Sequence, residues 1–269
     1  MRASPPPRGR AAAPLGAGPV VVALTMTLAL AAGAARADEL AVLAAGATES
    51  TLRLALPSFE AQTGHTVKVS YGAVGLLRDR VLAGSAADLV IVTPAIVEVL
   101  QARALLGPDP RVDLGRVGGG VAVRTGVTPP AVDSPEALRA ALLAAEAIYY
   151  ADPATATAGA HLLAVADQLG VGEVVRQRGH TAAGGKEAMR LLAASSGPAI
   201  GLTQISEILP VAGVVLVGPY PASLQRSTTY AGVVPAAAAR PEAARALLRF
   251  LRSTEVQARF RQAGFEPAP

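Results

Sequence analysis

Two periods of apolar residues alternate along the chain after Asp38. Leu40–Ala45 is a continuous apolar run of strand length, and Thr48–Thr63 places Leu52, Ala55, Leu56 and Phe59 at helical spacing, with Pro57 as a local complication. His65–Tyr71 returns to a period of two through Val67, Val69 and Tyr71. Val74–Ala83 sets Leu77 and Val81 one turn apart. Ala87–Val92 is again strand-like, and Pro94 opens a helix that runs to Leu100. This β-α-β-α-β-α rhythm predicts a parallel or mixed sheet covered on both faces.

Val117–Arg124 carries Gly118, Gly119 and Gly120 inside strand-like sequence, which suits a crossing between lobes or a bulge. A second cycle follows. Ser134–Ala145 is a helix capped by Asp133 or Ser134, Ala147–Tyr150 a strand, and Ala158–Leu169 and Gly184–Ala194 are helices. Ala199–Leu202 and Val214–Val217 are strands. Tyr230–Val234 is the last strand, followed by helices Pro241–Leu251 and Thr254–Ala263. The predicted fold class is α/β with two lobes, each a mixed sheet flanked by helices, and no internal repeat. In open α/β folds, ligands sit where strand C-termini meet helix N-termini. Four junctions therefore stand out: Gly46-Ala47-Thr48, Gly72-Ala73-Val74-Gly75, Val92-Thr93-Pro94, and Asp152 through Gly159, which includes Ala156 and Thr157.

Composition narrows the function. The 269 residues contain no cysteine, which excludes disulfide staples, thiolate chemistry and cysteine-ligated metal. At 51% apolar and 16% charged the chain can bury a large core. Aromatics are 3% with no Trp, so a stacking face for nucleic acid is not expected. The net charge of +4 belongs to Arg2, Arg8, Arg10 and Arg36, and residues 38–269 are neutral, leaving no basic field for a polyanion. These arginines, the apolar run Val20–Gly33 and the small-x-small sequence Ala35-Arg36-Ala37 predict a signal peptide over residues 1–37, cleaved before Asp38, and a periplasmic protein.

The ordered fragments Val42-Leu43-Ala44-Ala45-Gly46-Ala47-Thr48-Glu49, Phe59-x4-Gly64-His65-x-Val67, Ser70-Tyr71-Gly72 and Gly84-Ser85-Ala86-Ala87-Asp88-Leu89-Val90-Ile91 carry a resemblance. So do Asp152-Pro153 before Ala158-Gly159, Gly197-Pro198-Ala199-Ile200-Gly201, Phe250-Leu251-x-Ser253 and Gly264-Phe265. The chain resembles the molybdate-binding family of periplasmic solute-binding proteins, the extracytoplasmic component of ABC importers. The resemblance implies a two-lobed clamp: residues 38–118 and 231–269 form one lobe, and residues 119–230 are inserted as the second. It further implies a small-molecule ligand in the cleft and an inner-membrane ABC permease as partner. A monomer without a cofactor is the simplest expectation.

The ligand site departs from the family. Molybdate binders present serine hydroxyls where this chain has Ala47 and Val74 (or its neighbours Ala73 and Gly75), and a tyrosine where it has Gln204. Each lost buried donor costs about 1–3 kcal/mol, so a small organic anion or polar organic molecule suits the cleft better than a bare oxyanion. Molybdate or tungstate held by backbone N–H groups and by Thr48, Thr93 or Thr157 is the alternative, and a ligand sensor with the same fold is another. Arg78 is a candidate for a ligand carboxylate or else a surface partner of Asp79, and Tyr71 and Tyr230 are candidate cleft walls. Thr48 and Thr157 are equally ordinary helix caps. Asp88 is expected to serve structural hydrogen bonding. His65, His161 and His180 show no metal spacing, and no nucleophile elbow or phosphate loop is present, so catalysis is not expected; a hydrolase assembled from distant residues is the least favoured reading.

Overall fold

A computed structural model describes residues 1–6, 9 and 38–268, and the expected signal peptide falls largely outside the described residues. The first sheet holds β1 (Glu39–Ala45), β2 (Thr66–Gly72), β3 (Leu89–Val92), β4 (Val112–Val117), β10 (Thr228–Val233) and β11 (Phe265–Glu266). Its order is β11-β4-β10-β3-β1-β2, with β2, β1 and β3 parallel and the remaining neighbours antiparallel. The second sheet holds β5 (Gly119–Arg124), β6 (Ala147–Ala151), β7 (Gly179–Ala182), β8 (Ala199–Gln204) and β9 (Val214–Pro219) in the order β7-β6-β8-β5-β9. Here β7, β6 and β8 are parallel, and β5 runs antiparallel to both of its neighbours.

Helices cover both sheets. They are α1 (Glu49–Thr63), α2 (Val74–Leu82), α3 (Pro94–Ala102), α4 (Pro135–Ala144), α5 (Thr157–Gln168), α6 (Gly172–Gln177), α7 (Gly185–Ala194), α8 (Ile205–Ile208), α9 (Pro241–Leu251) and α10 (Thr254–Gln262). A 3-10 turn, Gly46–Thr48, precedes α1. Helix α1 continues through Pro57, whose ring removes the donor for the Arg53 carbonyl. Ser134 caps α4 by accepting from the Ala137 N–H at 3.1 Å, which settles the choice left open between Asp133 and Ser134.

Side-chain alternation divides the core. Around the first sheet one apolar cluster joins Leu40, Phe59, Leu89, Leu251 and Phe260. The second sheet has two, because successive strand residues face opposite ways. Val121, Ile148, Ile200 and Leu202 pack toward α4 and α5, whereas Ala122 packs with Met189 and Leu192 of α7.

The chain passes from the first sheet to the second at Gly118. The three glycines there are needed for space. A Cβ on Gly118 would lie 2.8 Å from the Gln225 amide, one on Gly119 2.9 Å from the Tyr220 ring, and one on Gly120 2.8 Å from Ile205. Both readings of this stretch apply, since the pairing of β5 with β9 also slips between Val121 and Ala122. Gln225 staples the crossing by accepting from the Gly119 N–H at 2.8 Å and donating to its carbonyl at 2.7 Å. The return strand β10 starts at Thr228 and pairs with β3 and β4 along its length, so it joins the first sheet a few residues before the expected boundary at 231.

Asp88 ties the first sheet together, as expected. It is buried, and its two oxygens accept from the N–H groups of Ala41 at 2.9 Å and Arg240 at 2.8 Å.

Candidate binding cavity

Strand ends of both sheets converge on a cavity of about 210 Å³. Three of the four expected junctions reach it: Ala45 to Ala47 after β1, Gly72 to Val74 after β2, and Ala156 to Ala158 at the start of α5. Tyr71, Gln204 and Tyr230 complete the expected lining residues that the structure brings together. The pairing of β10 with β4 slips between Tyr230 and Ala231, a bulge at the residue that faces the cavity.

The other candidates lie elsewhere. Thr48 is fully buried, and its hydroxyl donates to the Ala45 carbonyl at 2.8 Å rather than capping α1 or lining the cavity. Thr93 is buried beside α3 and does not line the cavity. Arg78 points outward and pairs with Asp79 at 2.8 Å, the bland alternative for it. Gly75 belongs to the closure of the site: its N–H donates to the Thr155 carbonyl at 2.9 Å. A Cβ on Gly75 would approach that oxygen to 2.9 Å, so only glycine lets α2 and the loop before α5 come this close. His161 lies against Tyr220 and bonds the Leu224 carbonyl at 2.9 Å, away from the cavity.

Gln204 is buried at the crossing. With its amide nitrogen facing the carbonyls of Gly118 (3.0 Å) and Val117 (3.1 Å), its oxygen accepts from the Thr228 hydroxyl at 3.0 Å. The amide thus joins β8 to the strands of the first sheet and leaves little of its capacity for a ligand.

The charged residues of the cavity were not singled out from sequence. Lys186, second residue of α7, reaches across to Glu49, first residue of α1, at 3.1 Å; both side chains are mostly buried. Arg53 holds the same Glu49 oxygen at 2.6 Å and lies 5.4 Å over the ring of Tyr71. Burial works against the charge on Glu49, but the hydrogen bonds from Arg53 and Lys186 outweigh it and hold the carboxyl below its ordinary range. Burial pushes the Tyr71 hydroxyl up to about 12, so it keeps its proton at neutral pH. At the rim Arg190 pairs with Glu187 at 2.9 Å.

Glu207, on α8, forms part of the floor. It is buried and accepts from the Thr203 hydroxyl at 2.7 Å. Burial pushes its carboxyl above the ordinary range, against the Thr203 hydroxyl and the N–H groups of Gly185 and Gln204. Burial and then the Glu207 charge raise the hydroxyl of Tyr230.

One signal in the sequence points to Lys186: Gly184-Gly185-Lys186 opens a helix, but the strand before it, β7, is polar and shows no apolar alternation that would mark a strand-to-helix junction. Among the described residues no group of His, Asp or Glu is placed to hold a metal ion, and no helix is long and apolar enough to cross a membrane.

A family model described as bacterial extracellular solute-binding protein matches residues 40–266. A curated protein of Pseudomonas sp, named aconitate isomerase, is 30% identical over 237 residues, covering 86% of this chain and 88% of its own. The periplasmic molybdate-binding protein of Azotobacter vinelandii shares the fold with a TM-score of 0.73 at 19% identity, over 86% of this chain and all of that one. The sulfate-binding protein SubI of Mycobacterium tuberculosis does so with a TM-score of 0.68 at 20% identity, over 86% and 87%.

Proposed function

This chain belongs to the bacterial extracellular solute-binding protein family, and we propose that it captures a small organic acid in the cavity between its two sheets for delivery to a membrane ABC permease. The family supports binding of a small solute outside the cytoplasm; the organic acid is our reading of the cavity. It rests on one observation above all: the cavity's single lysine is already paired with Glu49, while a second carboxyl, Glu207, faces the same space. A bare dianion brought here meets the carboxyl groups of Glu49 and Glu207 and an ammonium already shared, and at the rim the Arg190 guanidinium is paired with Glu187. Two donors counted for an oxyanion are also spent, the Gly75 N–H on Thr155 and the Thr48 hydroxyl on Ala45.

An organic acid fits these constraints differently. One carboxylate shares Lys186 with Glu49 and faces the α5 N-terminus at Thr157, a favourable end for an anion. Its carbon skeleton covers Ala47, Ala73, Val74 and Ala156, where no side-chain hydroxyl asks for a partner. Isothermal titration of ligand-free protein against di- and tricarboxylates, with sulfate and molybdate in parallel, tests the reading. Heat from a carboxylate alone supports it, and heat from molybdate alone overturns it.

A second reading is isomerisation of an unsaturated organic acid, with the chain as an enzyme. The full-length likeness to aconitate isomerase favours it, and Glu49 and Glu207 are carboxyl groups able to take up and return a proton at a bound ligand. Incubation with trans-aconitate, followed by NMR for the cis isomer, separates the readings: turnover supports the enzyme, and binding without turnover supports the carrier. Under either reading we infer export by the basic, apolar leader of residues 1–37 and a monomeric protein.

A further inference from the structure

Glu207 is held unusually firmly for a carboxyl group that faces a ligand cavity. One of its oxygens accepts from Thr203 at 2.7 Å, and the N–H groups of Gly185 and Gln204 favour its charged form. The other lies 3.2 Å from where a Cβ on Gly46 would stand, so the carboxyl bridges the turn after β1 and the start of α7. Gly185 is the first residue of α7, a ten-residue helix whose N-cap, Gly184, offers no side-chain bond. A Cβ on Gly185 would collide with the Thr203 hydroxyl and with Glu207, so the carboxyl is packed directly on that backbone. The N-terminus of a helix is a favourable place for an anion. At α7 that place is filled from inside the protein.

We propose that Glu207 determines the specificity of the cavity: its carboxyl packs on the Gly185 backbone and occupies the space at the α7 N-terminus that an inorganic oxyanion would need, and so restricts the cavity to ligands satisfied by Lys186 and the α5 end. This rests on the organic-acid reading above and extends it by naming the residue that excludes the oxyanion. Exclusion comes from occupancy. A carboxylate, a carboxylic acid or an amide at this position fills the same space, and Glu49 adds like charge nearby.

The test compares Glu207→Gln, which keeps the plug without the charge, with Glu207→Ala, which removes it. Sulfate, molybdate and the carboxylate panel are titrated into wild type and both variants, with thermal unfolding as a check of folding. Glu207→Ser replaces the alanine variant if that protein does not fold. Wild type and Glu207→Gln are expected to ignore both oxyanions. Glu207→Ala is expected to bind at least one about tenfold or more tightly, the worth of a freed buried donor. A folded Glu207→Ala that gains no oxyanion affinity, while wild type binds a carboxylate, overturns the inference and leaves the organic-acid reading standing. Equal gains in the glutamine and alanine variants overturn occupancy as the cause. Tight molybdate binding by wild type overturns both.

Discussion

Replacing Lys186 with methionine removes the ammonium that joins α7 to α1 while keeping most of the side-chain volume. Its partner Glu49 retains Arg53 at 2.6 Å, so the variant does not strand a buried charge. An exposed pair is worth about 0–1 kcal/mol, and breaking a buried one costs about 3–5 kcal/mol. Side-chain exposures of 20% and 14%, with Arg53 still in place, put this pair between those limits, at ~1–2 kcal/mol or about 2–8 °C in Tm for a chain of this size. Ligand affinity suffers more, because Lys186 is the lysine available to a bound carboxylate. Losing a charge-assisted hydrogen bond of about 1.5–3 kcal/mol weakens binding roughly 10- to 150-fold. Thermal unfolding of Lys186→Met, Glu49→Gln and the double variant gives the coupling energy, and titration with the bound organic acid gives the affinity. Zero coupling together with unchanged affinity would refute the view that this pair spans the site and anchors the ligand.

Further predictions follow from single contacts. Asp88→Ala leaves two backbone N–H groups without their acceptor, at ~2–4 kcal/mol and about 5–15 °C in Tm; a loss within measurement error in differential scanning calorimetry contradicts this. Gly185→Ala forces apart Thr203 and Glu207, and overpacking of about 1–3 kcal/mol lowers Tm accordingly; an unchanged melting curve counts against the close packing. Glu207 and Glu49 give opposite pH dependences. The folded pKa of Glu207 lies above its ordinary 4.5, so its contribution is full below 4.5 and declines as pH rises through the folded value. That of Glu49 lies below 4.5, so its contribution is present above 4.5 and lost as pH falls through the lowered value. As pH rises above 4.5 the wild-type Tm therefore declines more steeply than that of Glu207→Gln, and parallel curves would remove Glu207 as the cause. Intact mass and N-terminal sequencing of secreted protein are expected to begin at Asp38, and an uncleaved leader is the contrary result.

The parts of the fold that were legible are those with long, clean periods. Helix α9, predicted as Pro241–Leu251, has those bounds because Ala244, Leu247, Leu248 and Leu251 repeat on one buried face. Elements that escaped are short or polar: the four-residue helix α8, the two-residue β11, α6, and β7, whose Gly-His-Thr-Ala sequence shows no apolar alternation. Most of β4 also escaped, since Asp113, Gly115 and Arg116 interrupt its apolar run.

The site was legible to the same extent. Junction reasoning found Ala47, Val74, Ala156 and Thr157 because it needs only strand ends and helix starts. Lys186 stands at the junction of β7 with the predicted helix α7, and Glu207 lies on α8; because β7 and α8 show no clear period in sequence, their convergence with Glu49 is not legible there. Arg78 illustrates the converse: a suitable charge near a suitable glycine is claimed by its own neighbour, Asp79.

The central claim is that this cavity takes a carbon-bearing acid and turns away a bare oxyanion. Isothermal titration of ligand-free wild type against citrate, trans-aconitate and smaller dicarboxylates, beside molybdate and sulfate, tests it most directly. Saturable binding of a carboxylate with no heat from either oxyanion is the predicted result. Saturable binding of molybdate with none from the carboxylates would contradict it.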